Sequence, residues 1–217
     1  GSPYAIDASL SGMTLLNGYA VNFVDAGKLT VAPAHVTVTA LGGTSTYGGS
    51  PSNPGLSATG LVNGQNVSVL TGLGNDFAIL PTTNAGTYAL HVTGTNTNGN
   101  YVVDNTVNGS WTVDRASLFI TADSVVAPAL SDAQFSSRYS GFVNGDDSSV
   151  VSGLGYGVFP ITGDPLGYDI VPFGASASNY TITYFPGLLT LLPSQSGLFP
   201  APLIGDGGYN GSASFNL

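Results

Sequence analysis

The sequence predicts an all-β protein, made of tandem small modules of β-sandwich (Ig-like) type in a rod-like array. Three observations carry that expectation. First, the residues that favour exposed helix are scarce. There is no Glu, the only bases are Lys28, Arg115 and Arg138, and charged residues make up 7% of the chain, against a usual figure of roughly 25%. Gly, Ser, Thr, Asn and Val take their place, a mixture that suits strands joined by tight turns. Second, apolar and polar residues alternate over several short stretches, the period of a half-buried strand. Third, Gly60–Leu73 (GLVNGQNVSVLTGL) and Gly141–Leu154 (GFVNGDDSSVVSGL) match without a gap at an offset of 81 residues, with eight of fourteen positions identical. Similarity at a fixed period marks an array of repeats. A β-grasp-like module is the alternative, because the motif region has room for a short helix.

Taken in order, residues 1–34 correspond to the C-terminal half of a repeat. Tyr4-Ala5-Ile6 aligns with Tyr88-Ala89-Leu90 and Tyr168-Asp169-Ile170, and Tyr19–Val24 aligns with Tyr101–Thr106 and Tyr180–Phe185. Each Tyr-led segment is followed by a glycine and an apolar strand: Lys28–Val31, Ser110–Val113 and Leu188–Leu192. The first complete repeat spans residues 35–116. In it His35–Ala40 alternates strictly, Phe77–Leu80 follows the motif, and Thr87–Thr93 alternates with Tyr88, Leu90 and Val92 inward. Asn100–Asp104 and Ser110–Asp114 close the unit, and Asn108-Gly109 between them predicts a hairpin turn. The second complete repeat spans residues 117–193. Leu118–Ala122 matches Val36–Ala40 at an offset of 82, and a second hairpin is predicted at Pro186-Gly187. Ser110–Ala122 contains no Gly or Pro, so one repeat should run almost straight into the next, which leaves little freedom between them. Residues 194–217 match nothing upstream. This tail, with Pro200, Pro202 and short apolar pieces, reads as a disordered end or a docking strand.

Composition excludes several classes. The net charge is −9, the pI is near 4.1, and the three bases are scattered. No basic face exists to meet phosphates, so nucleic acid is not an expected partner. No apolar run approaches the roughly 20 residues needed to span a bilayer as a helix. The absence of cysteine removes disulfides and thiolate metal sites. With no Met at residue 1 and no basic-then-apolar start, the chain reads as a fragment or a processed product.

The pattern resembles the MBG-type (YGX-type) repeats of bacterial filamentous-haemagglutinin-like surface exoproteins, over about residues 1–193. The resemblance rests on Tyr47-Gly48-Gly49 followed by Pro54, on the Gly-Leu/Phe-Val-Asn-Gly motif, on Ala85-Gly86-Thr87-Tyr88-Ala89, and on Asn179–Pro193 (NYTITYFPGLLTLLP). The second repeat has no Tyr-Gly between Ala122 and Gly141. The resemblance implies a small all-β module in the stalk of a secreted or surface-tethered adhesin, with no catalytic residues to carry over.

Candidate chemistry is sparse. His35 and His91 sit on polar faces of predicted strands without the spacing of a metal site, and are expected to be exposed bystanders. Asp146-Asp147, with Asp132 or Asp164, are the acids that could gather round calcium, but the other repeat carries Gln65-Asn66 in their place, so a solvated loop is expected. No Gly-x-Ser-x-Gly elbow occurs, and no enzyme activity, cofactor or metal is expected. Tyr4, Tyr19, Tyr88, Tyr101, Trp111, Tyr168, Tyr180 and Tyr184 recur at strand positions and read as core, whereas Tyr47 and Tyr209 lie in Gly-rich loops and are the candidates for an exposed contact. Asn63-Gly64 and Asn144-Gly145 read as a backbone device that reverses the chain, with the following side chains facing water.

Three functions follow as expectations. The first is a stalk or spacer of an adhesin at the bacterial surface, with neighbouring repeats as its partners. The second is a self-assembling filament subunit, joined by strand exchange between copies through residues 1–34 and the tail. The third is a module that binds a host or matrix glycan or protein.

Overall fold

The computed structural model describes residues 3–6 and 27–193. The expected strand at Tyr19–Val24 and the tail at residues 194–217 lie outside the described residues. The described elements are all strands apart from three single turns of 3-10 helix. In chain order they are β1 (Pro3–Ile6), β2 (Gly27–Thr30), β3 (Ala34–Ala40), β4 (Gly43–Thr46), β5 (Leu56–Thr59), β6 (Leu73–Asn75), β7 (Gly86–Leu90), β8 (Val92–Gly94), β9 (Tyr101–Val107), β10 (Gly109–Asp114), β11 (Ala116–Ala122), β12 (Val125–Ala127), β13 (Ser137–Ser140), β14 (Gly155–Pro160), β15 (Gly167–Phe173), β16 (Tyr180–Phe185) and β17 (Gly187–Leu191). The all-β expectation therefore holds. The short helix that the motif region has room for is the 3-10 turn Val67–Val69, with its counterpart at Ser148–Val150. Phe77–Leu80, which follows the motif, is irregular.

Each complete repeat contributes one sheet from its first strand and another from its last. The first repeat forms β5-β3-β9 and β4-β10-β7, with the small pair β6-β8. The second forms β13-β11-β16 and β12-β17-β15-β14. The alternation read from the sequence sets the buried faces. Val36, Val38 and Ala40 of β3 are buried, as are Ala116, Leu118, Ile120 and Ala122 of β11. Burying each large aliphatic side chain of this kind contributes about 1.5–3 kcal/mol. Two core clusters result. One joins Val36, Val38, Leu70 and Tyr101, and the other joins Ala122, Ala127, Ile170 and Leu189.

The two predicted hairpins do not form. β9 and β10 belong to different sheets, as do β16 and β17, so Asn108-Gly109 and Pro186-Gly187 carry a strand from one sheet onto the other. Gly109 is there for space, not for reversal. A Cβ on it would lie 2.4 Å from the Ala40 carbonyl oxygen, and one on Gly187 would lie 2.6 Å from that of Ala122. At these points two strand paths cross over side by side. β3 runs parallel to β9, and β4, which continues β3, runs parallel to β10, which continues β9. Parallel neighbours need long connections. The intervening motif and β5–β8 supply that connection, which is why local turn signals could not reveal the pairing.

Clustering of contacts divides the chain into two compact units. One comprises residues 1–118, 141–152 and 176–182; the other comprises residues 119–140, 153–175 and 183–217. In the first unit β10 leads into β11 with Arg115 as the only residue between them. The first unit thus holds the whole first repeat together with three segments of the second, including its Val-Asn-Gly motif.

Candidate functional site

The repeated motif builds the same local structure twice. Val62-Asn63-Gly64-Gln65 closes a turn in which the Gln65 N–H donates to the Val62 carbonyl at 3.1 Å; the Asp146 N–H donates to that of Val143 at 2.9 Å. Asn63 and Asn144 both have φ of 57°, and Gly64 and Gly145 have φ of 67° and 80°. Positive φ at both central residues is the conformation that Asn-Gly tolerates best, so the backbone reading of the motif holds. Just beyond the turn, Asn66 and Asp147 cap the 3-10 helices. Their side-chain oxygens accept from the N–H of Ser68 at 3.0 Å and of Ser149 at 2.8 Å. A hydrogen bond from the Ser149 side chain, and then the one from its N–H, hold the Asp147 carboxyl below the usual carboxylate range.

The side chains after the turn do not simply face water. A buried tyrosine from the first position of a distant strand reads each turn. The Tyr101 hydroxyl accepts from the Val62 N–H at 3.3 Å and donates to the Gln65 side-chain oxygen. The Tyr180 hydroxyl accepts from the Val143 N–H at 3.1 Å and donates to Asp146 Oδ2 at 2.7 Å. Gln and Asp differ in charge but offer the same acceptor to the same donor. Burial pushes the Tyr180 phenol up, the Val143 N–H opposes this, and the hydrogen bond to Asp146 with its negative charge adds to it; the result is about 12. At neutral pH this phenol stays protonated and acts as a fixed donor.

The second copy has a further layer, contributed by the first repeat. Tyr47 follows β4 and is held there by its N–H, which donates to the Asp114 carbonyl at 2.8 Å. It is not the exposed contact that its Gly-rich loop suggested. Its relative exposure is 7%, its ring meets that of Tyr180 edge-on at 5.6 Å, and its hydroxyl donates to Asp146 Oδ2 at 3.1 Å. Tyr180 is also met edge-on by Phe142 at 5.7 Å. Edge-on aromatic pairs of this kind contribute about 0.5–1.5 kcal/mol beyond area burial. Gly48 permits the approach: its φ is +83°, and a Cβ there would lie 2.5 Å from Val143 Cγ2. Tyr209, the other loop tyrosine, lies outside the described residues.

Two asparagines complete the junction. Asn144 Nδ2 and the Gly48 N–H both donate to the Pro81 carbonyl, each at 2.9 Å. Asn179 Oδ1 accepts from the Ala85 N–H and its Nδ2 donates to Asn84 Oδ1, both at 2.9 Å, while its own carbonyl accepts from the Ala116 N–H. Asn84, Ala85 and Asn179 line a cleft of about 480 Å³ together with Tyr47, Asp146 and Tyr180. Sequence reasoning passed over Asp146 as a solvated acid and took nothing from Asn179. The signal that could have found them is the dipeptide Asn-Tyr, which heads the equivalent segment in both repeats, at Asn100-Tyr101 and Asn179-Tyr180.

The other candidates lie elsewhere. His35 and His91 are exposed, as expected, yet each has a carboxylate partner. His35 Nδ1 meets Asp104 at 2.8 Å and His91 Nδ1 meets Asp76 at 2.7 Å. The His91 backbone N–H also reaches Asp76 at 2.7 Å, and it is the main cause of the lowered Asp76 pKa. Asp146 and Asp147 turn to different partners, and no group of three His, Cys, Asp or Glu able to hold a metal occurs among the described residues.

A family model described as MBG domain (YGX type) matches residues 36–112 and again residues 118–190. The chain belongs to this family. Its two MBG repeats coincide with the two copies of the Val-Asn-Gly turn, and Tyr47-Gly48-Gly49 supplies a Tyr-Gly to the first. Counted from the shared register, in which Gly43 lies opposite Trp111 and Val125 opposite Leu189, Ala129 stands in the second MBG repeat where Tyr47 stands in the first. No curated protein and no solved structure matches the chain. Among the described residues no helix is long and apolar enough to cross a membrane.

Proposed function

We propose that this chain is a structural spacer, a segment of the stalk of a secreted or surface-tethered bacterial adhesin, with no enzymatic activity of its own. The observation that carries the proposal is the junction. One MBG repeat passes into the next through a single residue, Arg115, and the passage is locked by Tyr47, Asp146, Asn144 and Asn179 acting across it. A stalk must transmit position along its length, so its joints should resist bending. A one-residue link with buried and hydrogen-bonded contacts on either side meets that requirement. Membership of the MBG family, the acidic composition and the lack of cysteine suit an exported, repeat-built protein.

A glycan- or protein-binding role gains nothing from this geometry. Of the two loop tyrosines on which that reading rested, Tyr47 is buried against Tyr180, and Tyr209 lies outside the described residues.

The chain has no native cysteine, so spin labels can be placed without background at Ser57→Cys in the first repeat and Ser149→Cys in the second. The expected result is one narrow distance distribution, which broadens when Gly-Ser-Gly is inserted after Arg115. A distribution that is already broad in the native chain would refute the spacer reading.

A further inference from the structure

The two complete repeats differ at one sheet edge. Leu73 matches Leu154 in the repeat alignment, so Asn75-Asp76 correspond to Tyr156-Gly157. The strand pairs agree: Asn75 lies opposite Val92 of β8, and Tyr156 lies opposite Pro172 of β15. One step further the copies part. In the first repeat Asp76 and His91 come next, joined by their side chains at 2.7 Å. There β6 has ended, and residues 77–80 are irregular. In the second repeat Gly157 and Val171 come next, and the ladder runs unbroken from Gly155 to Pro160. β14 is thus a regular strand of six residues with no charged side chain. It stands last in the order β12-β17-β15-β14, and among the described residues no strand lies on its other side. The whole of its repeat, residues 117–193, is described. Open edges are usually blunted by charge, a bulge or proline; β14 has only Pro160, at its last position.

The ladder also shows which main-chain groups of β14 are unused. The Ile161 N–H donates to the Gly167 carbonyl at 3.0 Å. Bonded and non-bonded positions alternate in an antiparallel pair, so Gly155, Gly157 and Phe159 turn their N–H and C=O groups to β15. Tyr156 and Val158 turn theirs to the open edge, and Pro160 turns only a carbonyl. The side chains alternate with the same period. Tyr156 and Val158 pack on the core cluster that contains Ile170 and Leu189. Phe159 and Phe173 lie on the outer face, 57% and 54% exposed. A Cβ on Gly155 would lie 3.1 Å from Phe173 Cζ, and one on Gly157 would lie 2.8 Å from Phe159 Cε2. Each ring therefore rests over a bare stretch of β14.

We propose that β14 pairs antiparallel with β14 of a second copy, about a two-fold axis at Gly157. Tyr156 of each copy then faces Val158 of the other. The two pairs exchange four main-chain hydrogen bonds, which use every N–H and C=O that Tyr156 and Val158 hold free. Pro160 falls outside these bonds, so its missing N–H costs nothing. Gly157 meets Gly157 at the axis, where no side chain stands in the way. Phe159 of each copy falls opposite Gly155 of the other, beside the Phe173 ring that rests there, and the exposed rings cover one another. The strand is its own complement: it is uncharged, and it offers glycine where the second copy presents phenylalanine. An unrelated extended segment would satisfy the bonds but not that exchange. One strand pair is smaller than the roughly 1,200–2,000 Å² of a stable interface, so the dimer is weak, with a dissociation constant of roughly 1 µM to 1 mM. The contact is isologous and closes at two copies. It does not depend on the spacer reading, because β14 lies wholly within the second repeat and the Ser57–Ser149 distance lies within one copy.

Sedimentation velocity of the full chain from about 1 µM to about 1 mM tests the proposal. A reversible monomer–dimer equilibrium with no larger species is expected. Gly157→Asp, which gives the second repeat the carboxylate of the first, sets two like charges at the axis and should weaken dimerisation by about tenfold or more. Phe159→Lys, a change at an exposed side chain, should do the same. Amide hydrogen exchange by NMR at the highest concentration then locates the contact. The Gly157 amide should exchange slowly in the parent and in Phe159→Lys alike, because it faces β15. The Tyr156 and Val158 amides should be slow in the parent and fast in Phe159→Lys. A parent that is monomeric up to about 1 mM would overturn the proposal. So would a dimer that both variants leave intact, or Tyr156 and Val158 amides that exchange at the same rate in the parent and in Phe159→Lys.

Discussion

The two Val-Asn-Gly turns share a backbone and differ in what surrounds them. In the first, Tyr101 reads the turn and Gln65 accepts its hydroxyl. In the second, Tyr180 reads the turn and Asp146 accepts its hydroxyl, but Asp146 also accepts a hydroxyl from Tyr47 of the preceding repeat. A carboxylate accepts through two oxygens with several lone pairs and donates nothing when ionised, so it can serve two phenols at once. An amide oxygen serves the single phenol of the first copy equally well. The contrast teaches that an unmatched residue in a repeat is not thereby idle. The change from Gln to Asp coincides with the turn becoming a joint.

The largest effect that would break this comparison comes from removing the reading tyrosine. Tyr180→Ala and Tyr101→Ala should each lower stability by about 3 kcal/mol or more, the scale for truncating a buried aromatic side chain. The Tyr180 change should cost more, because it also strips the edge-on contacts with Tyr47 and Phe142. Denaturant unfolding of the two variants beside the parent checks the order; equal losses would mean that the joint adds nothing to the turn.

Alkaline pH sharpens the same comparison with a smaller effect. The Tyr180 phenol stands at about 12 in the folded chain against 10.0 unfolded. The folded state thus holds its proton more tightly. The associated stability is intact below pH 10, is lost as pH rises from there to about 12, and does not return above it. In Tyr180→Phe that part of the alkaline limb should vanish, leaving a flatter profile of unfolding midpoint against pH. A profile that keeps the full parent slope would place the titration elsewhere.

The smallest expected effect belongs to the exposed His91–Asp76 pair. The lowered Asp76 pKa means stability that is present above pH 3.8 and is lost as pH falls through the folded value. The pair is open to water and screened, so Asp76→Asn should change the unfolding midpoint at neutral pH little. An NMR titration of Asp76 should nevertheless give a value below 3.8 in the parent and one closer to it when His91 is replaced by Pro, which removes the backbone donor.

Much of the fold is legible in the residues. The alternation of His35–Ala40 and Leu118–Ala122 fixed which side of β3 and β11 is buried, because a strand has a period of two whatever it pairs with. Asn63-Gly64 and Asn144-Gly145 showed where the chain reverses, because positive φ is a local property of those residues. The same dipeptide misled at Asn108-Gly109. There the glycine answers to the Ala40 carbonyl, some seventy residues away in sequence, and no local signal distinguishes close approach from reversal. Tyr47 misled in the same manner, since a Gly-rich loop looks exposed until the partner that buries it, Tyr180, is in place.

The sequence by itself determined the repeats, the all-β class, the turn at each motif and the nearly unbroken passage from Ser110 to Ala122. These depend on local geometry and on a period, and both are written in consecutive residues. Only the tertiary structure decided that β3 runs beside β9, that Asp146 serves two tyrosines, and that Tyr47 is buried against Tyr180. Those facts join residues far apart in sequence through hydrogen bonds and burial, which depend on distance in space and not on spacing along the chain.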